Sequence, residues 1–157
     1  MTPAVNLLHK KKIPFELLEY EHDKSNQDFG KEAADKLGLA PEAVFKTLLA
    51  CDASDKHKMV VAIVPVSGML DLKALAKAAK LKKMVMAQPA DAERVTGYIV
   101  GGISPIGQKK RLPTFVDSSA QQFEQIYVSG GRRGLDIGLS YQALNQATGA
   151  VLADIKG

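Results

Sequence analysis

Apolar and polar positions alternate between two periods along this chain, and the switches between them divide it into short elements. Thr2 is placed to cap a first helix, with Pro3 at its first position and the helix running to about Lys11. Ile13 to Tyr20 reads as a first strand. Asp28 or Gly30 opens a helix over Lys31 to Leu37, closed by Gly38 just past its end. Pro41 to Phe45 adds a further turn that runs into an apolar strand.

A hairpin follows. Thr47 to Asp52 and Met59 to Val64 are apolar strands joined by the polar stretch Ala53 to Lys58. Asp71 to Ala79 is an alanine-rich helix whose leucines fall on one face. Lys83 to Ala87 reads as a short strand, Pro89 to Val95 as a helix, and Tyr98 to Val100 as a strand running into glycine. The last third predicts strands at Thr114 to Asp117, Gln125 to Ser129, Leu135 to Leu139 and Val151 to Ile155, with a helix over Ser140 to Gln146. Hairpins with irregularly placed helices imply an α+β fold around a mixed, partly closed sheet. The regular strand–helix alternation of a Rossmann fold is missing.

Within this pattern one position stands out. Lys46 lies in Ala43-Val44-Phe45-Lys46-Thr47-Leu48-Leu49-Ala50, an otherwise almost wholly apolar run. A lysine there either snorkels its charge to water or aims it into a cleft. In a cleft, a cationic tip against an apolar wall is a ready site for a carbonyl or phosphate oxygen. Asp136, between Leu135 and Ile137, is its mirror image. It faces solvent by period-two alternation, or it pairs with Lys46, or it binds a substrate amine.

Two glycine-rich segments end strands. Gly101-Gly102-Ile103-Ser104-Pro105-Ile106-Gly107 combines backbone freedom with a stiffening proline, so its amides can be held ready for an oxyanion or phosphate. It lacks the Gly-Lys-Ser/Thr ending of a P-loop. The other is Ser129-Gly130-Gly131-Arg132-Arg133-Gly134.

Composition narrows the classes. The chain has 157 residues, 46% of them hydrophobic and 24% charged, which suits one ordinary domain spanning 1–157. Cys51 is the single cysteine, so no internal disulfide is available and a cytoplasmic setting is expected. No signal-like apolar segment opens the chain, and no run nears the ~20 apolar residues of a membrane span. His9, His22 and His57 have no ligand spacing, so no metal or other cofactor is expected. Neither Ser104 nor Ser129 sits in a nucleophile elbow, and Cys51 has no histidine nearby in sequence. The net charge is +4, gathered in Lys10-Lys11-Lys12, Lys80 with Lys82-Lys83, Lys109-Lys110-Arg111 and Arg132-Arg133. Such clusters suit nucleic acid, or are ordinary solvated turns.

Val44-Phe45-Lys46-Thr47-Leu48, the Gly101-x-x-x-Pro105 loop and Ser129-Gly130-Gly131…Asp136 together resemble the YbaK family. These are free-standing aminoacyl-tRNA deacylases related to the editing domain inserted in bacterial prolyl-tRNA synthetases. The resemblance covers essentially the whole chain. It implies a mixed, mainly antiparallel, barrel-like sheet with surrounding helices. It implies hydrolytic trans-editing of Cys-tRNA(Pro), in which the substrate's own thiol attacks its ester. Lys46, Gly101 and Asp136 are then the catalytic candidates. Tyr20, Gly102, Ile103, Ser104, Pro105, Ser129, Gly130 and Gly131 are the substrate-binding candidates. The implied partners are aminoacylated proline tRNA and prolyl-tRNA synthetase, with the protein itself a monomer. The alternatives are a deacylase for another amino acid, such as Ala-tRNA(Pro), or a non-catalytic module that binds RNA or nucleotides.

Overall fold

The computed structural model describes residues 1–157. Helix α1 (Pro3–Lys10) starts where the Thr2 hydroxyl accepts from Val5 N–H at 3.2 Å. Its end sets the entry to β1 (Glu16–Glu19): Lys12 takes a left-handed φ of 57°, and Ile13 N–H donates to Leu8 C=O. The strand expected from Ile13 is thereby shortened, because its first residues still close the helix. Helix α2 (Phe29–Leu37) is capped by the Asp28 carboxylate and ends at Gly38, with φ of 67°.

The central hairpin is β2 (Phe45–Asp52) with β3 (Asp55–Pro65). The polar stretch expected as a six-residue loop is mostly strand. Asp52 accepts from both the N–H and the hydroxyl of Ser54, which folds the connection into a tight turn. The turn expected over Pro41 to Phe45 ends before Phe45, which is already paired with Pro65. Helix α3 (Leu72–Ala79), β4 (Met84–Met86) and α4 (Pro89–Thr96) follow.

Tyr98 to Val100 is not a strand. The Tyr98 hydroxyl donates to Ile106 C=O at 2.6 Å and Val100 N–H donates to Glu93 at 2.8 Å. Side-chain anchors, not a ladder, hold this run, in which Tyr98 is buried while Ile99 is exposed. The chain closes with β5 (Thr114–Asp117), a 3-10 turn over Ser118–Gln122, β6 (Ile126–Arg132), β7 (Leu135–Leu139), α5 (Tyr141–Thr148) and β8 (Val151–Ala153).

Two sheets result, in the orders β1-β7-β6 and β4-β2-β3-β5-β8. β3–β5 and β5–β8 are parallel, and the other pairs are antiparallel. A single parallel bridge, Val44 to Tyr127, joins the sheets. The fold is the mixed α+β one expected, its partly closed, barrel-like sheet being two sheets packed around one core and joined along the backbone by this single bridge.

Both faces of the hairpin are buried. Leu49, Cys51, Met59, Val61 and Ile63 join the main core between the sheets. Ala50, Val60, Ala62 and Val64, on the opposite face, pack with Leu75 and Ala76 of α3. Burial on both faces is why this stretch reads as continuous apolar sequence rather than alternation. No helix is long and apolar enough to cross a membrane.

Candidate functional site

The ladder between β2 and β4 involves only Ala50, Cys51 and Asp52. Upstream, β2 meets β6 only through the Val44 bridge. Between these points one edge of β2 is left open, and a cleft of about 360 Å³ lies along it. Phe29 and Gly30 of α2 form one wall, and Ala87, Pro89 and Ala92 another. Val100, Gly101 and Ile103 form the roof, while Ser129 and Asp136 reach in from β6 and β7.

Lys46 is the second residue of β2 and lines this cleft, half-buried. No acid lies within ion-pair distance of it. Of the two readings of this lysine, the cleft is the one realised. Asp136 is 6% exposed, so it does not face solvent. It stands opposite Ser129 in the β6–β7 register, and its carboxylate pairs with no cation, Lys46 included. Burial pushes its pKa up to about 7. Tyr20 also lines the cleft, and its N–H is held by Gly134 C=O at 2.9 Å. Burial, and then the charge of Asp136, push the Tyr20 hydroxyl up to about 12.

The glycine loop is held from several sides. Gly101 has φ of 89°, and a Cβ there would meet Arg133 Nε at 2.7 Å and the Phe29 ring at 2.9 Å. The Arg133 guanidinium donates to Val100 C=O at 3.0 and 2.7 Å and stacks on Phe29 at 4.8 Å. The loop thus reaches the cleft with its backbone clamped, as an oxyanion or phosphate site requires.

The other candidates divide. Ile103 and Ser129 line the cleft; Gly102, Ser104, Pro105, Gly130 and Gly131 do not. Ser104 is fully buried, its hydroxyl accepting from Ile106 N–H at 3.2 Å. Gly102 lies so close to the Arg132 backbone that a Cβ would come within 2.7 Å of it. Gly130 C=O accepts from the Thr2 hydroxyl, and Gly131, with φ of 109°, packs against Thr2 and Tyr98. These residues shape the loops behind the cleft.

Sequence reasoning missed Phe29, Arg133 as a clamp, and Thr47. The Thr47 hydroxyl is buried with no partner, beside Lys46 on the cleft wall. Nothing in the local pattern distinguishes Thr47 from an ordinary strand threonine.

Neither serine nor cysteine is poised as a nucleophile. Ser129 Oγ accepts from Gly131 N–H at 3.2 Å and is hydrogen-bonded to no base, Asp136 across the ladder included. Cys51 is buried outside the cleft lining, and burial raises its thiol pKa.

Residues 26–147 match the model of the aminoacyl-tRNA editing domain. The chain belongs to this family. A curated relative from Enterococcus faecalis, named as a candidate Cys-tRNA(Pro)/Cys-tRNA(Cys) deacylase, is 41% identical over 155 residues, which is 98% of this chain and 92% of the relative. Among solved structures, a hypothetical protein, APE2540, superposes with a TM-score of 0.86 at 24% identity, covering 99% of each chain. A candidate trans-editing enzyme for prolyl-tRNA synthetase superposes with a TM-score of 0.82 at 20% identity, covering 100% of this chain and 99% of the other. Both share the fold of this editing domain.

Proposed function

We propose that residues 1–157 act as one trans-editing deacylase domain, which clears cysteine mischarged onto proline tRNA by cleaving its aminoacyl ester. The observation that carries this is Lys46, an unpaired, half-buried cation on the apolar wall of a cleft whose aliphatic hydroxyls, Ser129 and Thr47, are hydrogen-bonded to no base. A cleft of about 360 Å³ suits a small aminoacyl group with its ribose, at the lower end of the ~300–1,000 Å³ of small-molecule sites.

In this reading Lys46 supplies positive charge to the terminal phosphate or the developing oxyanion. The Gly101 N–H is presented on the carbonyl side, its neighbours being committed elsewhere, Val100 N–H to Glu93 and Gly102 N–H to Ile99 C=O. Asp136, ionised in part near neutral pH, holds the substrate ammonium, and Ser129, Ile103 and Tyr20 shape the pocket around it. The substrate thiol gives up its proton, and its sulfur attacks the ester carbonyl. A C–S bond forms, the ester C–O bond breaks, and the ribose hydroxyl takes the proton. The cyclic thioester released is then opened by water. The protein contributes positioning and charge, which bring the reacting atoms to close approach. Its setting is the cytoplasm, it works as a monomer, and prolyl-tRNA synthetase is the partner that supplies mischarged tRNA.

The test is to charge tRNA(Pro) separately with cysteine, alanine and proline, and tRNA(Cys) with cysteine, and to follow ester loss. Fast loss of cysteine from tRNA(Pro), with alanine and proline retained, is expected. Preferential loss of alanine would replace the substrate, and loss of none would leave a binding module.

A further inference from the structure

Helix α4 separates the cleft from a second concavity. Pro89 and Ala92 line the cleft, whereas Arg94 and Val95 line a hollow of about 370 Å³. Lys56 and His57 of β3, and Lys109 and Lys110 of the connection between α4 and β5, complete its basic wall. Three separate segments thus bring five basic side chains around one hollow, and no acid lines it. Arg94 is engaged by Asp91 at 2.8 Å, but Lys56, Lys109 and Lys110 make no ion pair.

The arrangement is built into the backbone. Lys109 N–H donates to Thr96 C=O at 2.8 Å, and Lys110 N–H donates to Val95 C=O at 3.1 Å. Both lysines are thereby pinned to the carbonyl end of α4, where the helix dipole favours cations. Like charges gathered in a concavity repel one another and concentrate an anionic ligand. The hollow has few apolar residues, which suits a polyanion better than a small apolar ligand.

We propose that this hollow binds the phosphate backbone of the tRNA strand leading to the 3′ end held in the cleft. The proposal rests on the deacylase reading. The two sites lie across a single helix, about 10–12 Å in diameter, a span that a few nucleotides bridge. The terminal aminoacyl ribose sits by Lys46 while upstream phosphates cross α4 to Lys56, Lys109 and Lys110.

The test compares the wild type with three variants: Lys56→Ala/Lys109→Ala/Lys110→Ala, the same three changed to Arg, and Lys10→Ala/Lys11→Ala/Lys12→Ala. Binding of uncharged tRNA is titrated over a range of salt. Deacylation is measured on Cys-tRNA(Pro) and on the cysteine ester of adenosine, which has no upstream phosphates. The pocket alanine variant should flatten the log–log salt slope by about 2, at roughly 0.7–0.9 per lysine. It should lose on the order of tenfold in tRNA affinity at low salt while hydrolysing the adenosine ester normally. The arginine variant should behave like the wild type, and so should the α1 variant, whose net charge falls equally. An unchanged slope, an equal fall in the α1 variant, or parallel loss on both esters would overturn the proposal. If the wild type cleaves neither ester, the deacylase reading fails, and the salt slope still decides whether the hollow binds RNA.

Discussion

Asp136→Asn should stabilise this protein at alkaline pH while removing its activity. In the unfolded chain the carboxyl ionises near 3.8, and in the folded protein near 7, because burial penalises the charge. Between those values the native state keeps a proton that the unfolded chain has lost. Stability contributed by this group therefore falls as pH rises through the window. Below it both states are protonated and the penalty vanishes; above it both are ionised and the penalty is complete. A difference of about 3 pKa units corresponds to roughly 4 kcal/mol at 1.36 kcal/mol each. At 6% exposure, solvent screening takes little from that figure. At pH 5 the penalty is only roughly 1.5 kcal/mol. Asparagine keeps the shape and cannot ionise. Urea denaturation of both proteins at pH 5 and pH 8 should show the gap between them widening by roughly 2–3 kcal/mol. For a protein of this size that is a relative shift of about 1–2 M in midpoint. A gap that does not change with pH would refute the buried, raised carboxyl. Unimpaired ester cleavage by the variant would refute its role in holding the substrate. A group kept at a cost in stability is what a functional site tolerates.

Lys46→Ala and Lys46→Met should both abolish single-turnover ester loss, with stability changed by only about 0.5 kcal/mol because no ion pair is broken; near-wild-type turnover in both would remove Lys46 from the mechanism. Gly101→Ala should lose most activity and about 1–2 kcal/mol of stability, since alanine is strained at φ of 89° and its Cβ meets Arg133 and Phe29; activity and thermal unfolding together check this, and unimpaired turnover would contradict it. Cys51→Ala should keep its activity, and rates on one tRNA should rank cysteine far above serine and S-methylcysteine, because a thiolate forms near neutral pH and a hydroxyl does not. Fast cleavage of the S-methylcysteine ester would mean that the substrate thiol is not the nucleophile.

The element boundaries that were legible in the chain are those set by local chemistry. Thr2, Asp28 and Asp71 cap their helices through hydrogen bonds made within three residues, and Gly38 ends α2 by its own φ. Lys46 and Asp136 were legible because a charge inside an apolar run conflicts with burial wherever that run packs. Local sequence could not show which face each charge takes. Tyr98 to Val100 looks like a strand, yet its partners are Ile106 and Glu93, reached through side chains. Asp136 and Lys46, read as a possible pair, enter one cleft without meeting. The glycine loops look uniform in sequence, but Gly101 and Ile103 reach the cleft while Ser104 turns into the core. Capping, turns and buried-charge conflicts are short-range, and the chain determines them by itself. The cleft exists because β4 pairs with only the last part of β2, and the basic hollow because a loop returns to the end of α4. Those are contacts between residues far apart in sequence, and only the tertiary structure decides them.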